Sequence, residues 1–157
     1  MYRRSFILGL LTLCTTVLMA ARRAVAWELF TNEELEREKL ASAAQPQVAA
    51  AAPPSQPGEP TIDVEQPDAT KHVTSPVTIR IRFKAQSGAT IDPSSFRAKY
   101  GWLGIDITSR IIANARVDAR GIVAENANIP AGQYQIMLQI GDNLHRVGTR
   151  VLNFSVT

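Results

Sequence analysis

The chain has 157 residues, 17 basic against 14 acidic, with 45% hydrophobic and 6% aromatic content and nine each of Gly and Pro. That is one domain's worth of chain, and the balance excludes a collagen-like, a polytopic membrane or a wholly disordered protein. Residues 1–26 carry four Arg and no acid, so the remainder is 13 − 14 = −1 and the net +3 belongs to the leader.

Residues 1–26 read as an export signal. Arg3 and Arg4 form the positive end, Phe6 to Ala21 is apolar, and Ala24-Val25-Ala26 offers small residues at −3 and −1 for cleavage after Ala26. The apolar stretch is 16 residues, short of the roughly 20 that span a bilayer, so no transmembrane segment is expected after cleavage. Arg3-Arg4-Ser5-Phe6-Ile7 resembles the twin-arginine pattern. Tyr2 and Leu8 depart from it, and ordinary secretion stays open. Either route places the protein in the periplasm or outside the cell. Cys14 lies within the leader behind Leu13, which is too large for a lipid-attachment site. The chain beyond it has no cysteine, hence no disulfide and no thiol chemistry.

Residues 27–42 hold a short amphipathic helix. Thr31 and Glu34 have capping-box spacing, and Phe30 with Leu35 has that of a hydrophobic staple, which predicts a helix over about Asn32 to Ser42. Its apolar content is thin, so alone it would fray. On a mobile acidic arm, Trp27, Leu29, Phe30 and Leu35 could instead dock on a partner protein. Residues 43–60 are rich in Ala, Pro, Gln and Ser, including Ala49–Ala52 and Pro53-Pro54, and have the composition of a flexible linker.

From Thr61 the period becomes two. Val77, Ile79, Ile81 and Phe83 alternate with Thr78, Arg80 and Arg82. Tyr134 to Ile140 and Leu152 to Val156 alternate likewise. Weaker strands are expected at Ile62–Glu65, Phe96–Tyr100, Ile105–Thr108, Ala115–Asp118 and Ile122–Glu125. Turn signals at Ser75-Pro76, Ser87-Gly88, Asp92-Pro93-Ser94, Arg120-Gly121, Pro130-Ala131-Gly132 and Gly141-Asp142-Asn143 separate them. No segment after residue 60 has a helical period. The expected fold over residues 61–157 is all-β, an immunoglobulin-like antiparallel β-sandwich of about seven or eight strands. Tyr134, just after Pro-Ala-Gly, is placed for a tyrosine corner, its hydroxyl bonding to backbone upstream.

Asp92-Pro93-Ser94-Ser95-Phe96, Gly104-Ile105-Asp106-Ile107-Thr108, Ile129-Pro130-Ala131-Gly132-Gln133-Tyr134, Ile140-Gly141-Asp142 and Phe154-Ser155-Val156 together resemble the bacterial Ig-like domains. The resemblance implies the sandwich and says little of function, since such modules serve as spacers, adhesins and enzyme accessories. Asn143-Leu144-His145-Arg146 replaces the Gly-Asn-like turn usual there, so that loop's geometry does not carry over.

In Tyr100-Gly101-Trp102-Leu103-Gly104 two glycines bracket two large apolar residues. Trp102 is either the core aromatic of the sandwich or, with Leu103 and Tyr100, an exposed tip that meets a partner or stacks on a sugar. Arg80, Arg82 and Lys84 line one strand face, a solvated surface or a site for an anionic partner, with the acidic N-terminal stretch as an intramolecular candidate. Nucleic acid is not expected, because no basic stretch is interleaved with aromatics. His72 and His145 are the only imidazoles. Asp142 with His145 is a weak metal candidate, and Asp92, Asp106 and Asp142 on separate loops do not form a calcium loop. Nucleophile-elbow, carboxylate-pair and catalytic-triad patterns are missing from the sequence. The expectation is a non-enzymatic module without cofactor, acting on a protein or envelope partner. The alternative is a small-ligand carrier for copper, calcium or a glycan.

Overall fold

The computed structural model describes residues 26–44, 56–68, 72–86 and 88–157. The expected signal sequence up to residue 25, with Cys14, and most of the expected linker lie outside the described residues. Among the described residues no helix is long and apolar enough to cross a membrane.

The elements run β1 (Trp27–Glu28), α1 (Asn32–Ala44), β2 (Thr61–Gln66), β3 (His72–Val73), β4 (Val77–Lys84), β5 (Ile91–Tyr100), β6 (Ile105–Asp106), α2 (Thr108–Asn114), β7 (Ala115–Asp118), β8 (Gly121–Asn128), β9 (Gly132–Asp142) and β10 (Val147–Val156). They form two five-stranded sheets. One has the order β1-β8-β4-β2 with β7 also on β8, and the other is β3-β10-β9-β5-β6. The protein is a β-sandwich.

Its interior is filled by the alternating side chains. Val77, Ile79, Ile81 and Phe83 of β4 face Phe96 and Ala98 of β5, Tyr134 to Ile140 of β9, and Leu152, Phe154 and Val156 of β10. Phe83 and Phe96 meet across the layers at 6.2 Å between ring centres. The Tyr134 hydroxyl donates to the Pro130 carbonyl at 2.7 Å, the upstream bond expected from its place after Pro-Ala-Gly.

Three features depart from expectation. First, the sheets are mixed rather than wholly antiparallel. The edge strands β1 and β3 pair parallel, with β8 and β10 respectively, because each enters its sheet from an earlier part of the chain rather than through a hairpin.

Second, α2 occupies residues expected to be extended or irregular. Its two turns are too short to display a period, and only Thr108 and Ile111 are buried. The Asp106 carboxylate accepts the Thr108 N–H at 2.8 Å, and the Thr108 hydroxyl accepts the Ala98 N–H at 2.9 Å. These bonds fix where extended chain gives way to helix.

Third, the N-terminal segment is part of the body rather than a mobile arm. β8 is irregular between Ala124 and Ala127: Ile79 opposes Ala124, whereas Val77 opposes Ala127. Asn126 there has φ of 58°, the left-handed conformation found in one class of bulge. The bulge puts both alanines in the interior and splits the strand's edge. β7 pairs with Gly121–Ala124, and β1 takes Ala127 and Asn128. The Trp27 indole N–H donates to the Glu125 carbonyl at 3.0 Å, so β1 also satisfies the backbone acceptor at the bulge.

Candidate functional site

β5 and β6 form a hairpin in which Lys99 opposes Asp106 and Tyr100 opposes Ile105. The connecting residues are Gly101-Trp102-Leu103-Gly104. Both glycines are left-handed, with φ of 66° and 62°, a conformation that costs other residues roughly 1–2 kcal/mol. The Gly101 N–H donates to the Gln135 carbonyl at 2.8 Å and anchors the turn on β9. Trp102 and Leu103 project from it, 43% and 51% exposed. Of the two alternatives for Trp102, core or exposed tip, the exposed one holds.

The turn is held from below by α1. The Glu38 carboxylate accepts the Trp102 N–H at 2.5 Å and the Leu103 N–H at 3.2 Å, and also the Ser42 hydroxyl at 3.1 Å. Glu38 is 7% exposed. A buried carboxylate needs such donors to offset its lost hydration.

α1 itself opens on the capping box. The Thr31 N–H donates to Glu34, and the Glu34 N–H donates to the Thr31 hydroxyl. The same Glu34 carboxylate takes two bonds from the Arg110 guanidinium of α2, at 2.6 and 2.5 Å. Arg110 also donates to the Leu29 carbonyl at 3.0 Å. The Arg110 hydrogen bonds, opposed by burial and aided by Thr31, hold the Glu34 carboxyl at about 2, against 4.5 ordinarily.

A carboxyl lowered by folding stabilises the native state above its unfolded value, and that contribution is lost as pH falls through the folded value. Glu34 stability should therefore disappear between about pH 4.5 and 2. The loss is of order 1–2 kcal/mol after allowance for solvent screening. Denaturant titrations at pH 7 and pH 3 check this, and Glu34→Gln should remove about 1–2 kcal/mol of the difference. The remainder belongs to Asp63, Asp92, Asp106, Asp118 and Asp142, whose carboxyls are also lowered. An unchanged pH slope in that variant would contradict the assignment.

Behind the tip lies an aromatic cluster. Phe30 is 2% exposed, packs on Tyr100 at 4.3 Å and stacks on Tyr134 at 4.8 Å. Tyr134 in turn stacks on Phe154 at 5.5 Å. Burial, and then the charge of Glu38, push the Tyr100 hydroxyl up to about 12. Tyr100 and Phe30 were candidate contact residues, and both are interior. The cause is competition for the core: Phe30 follows β1 directly and is carried inward with Leu29. Trp27 is half-buried, its indole engaged at the bulge.

Arg80, Arg82 and Lys84 are exposed on the outer face of β4, in a different sheet from Trp102. Arg82 pairs with Glu65 at 2.7 Å and Lys84 with Asp63 at 2.6 Å. Both pairs are open to solvent and add little stability. Of the acids of α1, Glu34 pairs with Arg110 and Glu33 with Arg37 rather than with this row.

Asp142 is buried and engaged by its own loop. It accepts the Leu144 and Arg146 N–H groups and the Arg146 guanidinium. Burial raises its carboxyl, the Arg146 and Leu144 bonds outweigh burial, and the net direction is down. Arg146 continues to the Gln86 carbonyl, so this carboxylate locks a loop. His145 is exposed beside it with φ of 61°. Among the described residues no three His, Cys, Asp or Glu side chains gather as a metal site.

Comparison with protein-family models gives no match, and comparison with curated proteins gives none either.

Glu38 and Arg110 carry no mark in the sequence. Glu38 is one of five acids between Glu28 and Glu38, and nothing distinguishes it from its solvated neighbours. The available signal was indirect: a Gly-Trp-Leu-Gly turn leaves backbone donors that need an acceptor.

Proposed function

We propose that the protein is an exported, non-catalytic immunoglobulin-like module that works through protein–protein or cell-envelope contacts at the Trp102–Leu103 tip. The observation that carries this reading is the exposure of Trp102 and Leu103 on a turn fixed by two glycines and a buried carboxylate. A rigid apolar tip loses little conformational freedom on binding, and tryptophan is among the residues that dominate interface energies. The leader residues Arg3 and Arg4 and the Ala24-Val25-Ala26 site support export to the periplasm by the twin-arginine or the general route. Cleavage after Ala26 would leave β1 whole, since it begins at Trp27.

Replacing Trp102 and Leu103 together by Ser should lower stability by only about 1–2 kcal/mol, leaving the fold intact. A photo-crosslinker at Ser109, exposed on α2, should capture a discrete envelope partner from intact cells. Its yield should fall roughly tenfold in the double variant. Equal capture by both proteins, or no capture, defeats the proposal. A saturable change in Trp102 emission with copper, calcium or a cell-wall oligosaccharide would instead assign the tip to a small-ligand carrier.

A further inference from the structure

The segment from Ala26 to Ala44 is held by the body as a bound peptide is held. Two residues extend a sheet edge, Leu29 and Phe30 fill interior sites, and Glu34 and Glu38 in the first half of the helix are held by Arg110 and by backbone N–H groups. The segment is acidic, with five acids against two bases. Its seat supplies Arg110, which binds both the Leu29 carbonyl and Glu34, and the two N–H groups that bind Glu38. The helix adds only Leu35 to the apolar core, so it has little stability of its own away from the seat.

The seat and the segment are joined through the chain between Ala44 and Gln56. These twelve Cα steps reach at most about 43 Å. A compact body of this size is roughly 35–40 Å across, so the reach suffices for the seat of a neighbouring molecule.

We propose that the seat also accepts the Ala26–Ala44 segment of a second copy, forming a reciprocal dimer in which Trp27–Phe30 of each chain completes β8 of the other. The hydrogen bonds and packing that hold the segment within one molecule re-form unchanged between two. The balance is then set by the connecting chain's effective concentration, of millimolar order. Exchange therefore requires concentrated protein and a step that releases the segment.

Glu28 and Asn128 are Cα partners in the β1–β8 register, and both are exposed. In a Cys14→Ser chain, the double variant Glu28→Cys/Asn128→Cys should form a disulfide within one molecule. The two single variants are then mixed at about 1 mM, warmed into the unfolding transition and cooled. They should yield a disulfide-linked heterodimer at least about tenfold above a mixture of Glu28→Cys with Arg120→Cys. Sedimentation of the Cys14→Ser chain after the same treatment at about 1 mM is the second measurement, and monomer alone overturns the proposal. Equal yields in the test and control mixtures overturn the proposal. Failure of the double variant to close within one chain overturns it too, because the seat itself would then be misplaced.

Discussion

Phe30→Ala is expected to destabilise the protein by about 3–5 kcal/mol, the usual cost of emptying a fully packed aromatic site. Phe30 is 2% exposed and touches Tyr100 and Tyr134, and Tyr134 carries the contact on to Phe154. Its loss removes one wall of a cluster spanning β5, β9 and β10. Marginal domains have only about 5–15 kcal/mol in hand, so this variant should unfold well below the parent temperature. Leu40→Ala, at a site 74% exposed, is the control and should lie within about 0.5 kcal/mol of wild type. Equal denaturation midpoints for Phe30→Ala and wild type would show that the N-terminal segment is not part of the folded body.

Gly101→Ala is the second large effect, expected to cost roughly 4 kcal/mol or more. The left-handed turn contributes about 1–2 kcal/mol of strain with a Cβ present. That Cβ would also overlap the Glu38 carboxylate. Glu38 must then withdraw from the Trp102 and Leu103 N–H groups, and hydrogen bonds to a charged group are each worth roughly 1.5–3 kcal/mol. Trp102 emission should shift as the turn loosens, and binding through the tip should weaken with it. The Gly101→Ala/Glu38→Ala double variant tests the cause. With the carboxylate gone the overlap is relieved, so the double variant should lose clearly less than the two single losses summed. Strict additivity in a thermodynamic cycle would place the strain elsewhere.

Much of the architecture was legible along the chain. Strands β4, β9 and β10 alternate without interruption because each has one face on the interior, and a period of two is the direct trace of that burial. Thr31 and Glu34 announced the start of α1 because a capping box is local chemistry, satisfied within four residues. β8 was only partly legible. Its bulge at Glu125 and Asn126 breaks the alternation, and what stabilises the bulge is Trp27, 98 residues away. α2 left no period, being two turns long and fixed by Asp106 and by the backbone of β5.

The tip was legible as a turn but not as a site. Two glycines around Trp-Leu announce a tight reversal, yet composition cannot say which large residues the interior will admit. Phe30, Tyr100, Tyr134 and Trp102 all compete for a core of limited volume. The first three took it, and the fourth was left outside. Glu38 was hidden for the same reason, since an acid becomes buried only when a distant turn brings it donors.

By itself, the order of residues determined a two-layer β fold closed without disulfides, a capped helix before it and a glycine-framed turn near its middle. All of these follow from interactions between residues close in sequence or repeated at a fixed period. Only the tertiary structure decided that the N-terminal segment fills the sandwich, that Glu38 supports the turn and that Trp102 points outward. Those outcomes depend on which distant groups compete for the same interior volume and the same unpaired backbone donors, and no local pattern encodes the result of that competition.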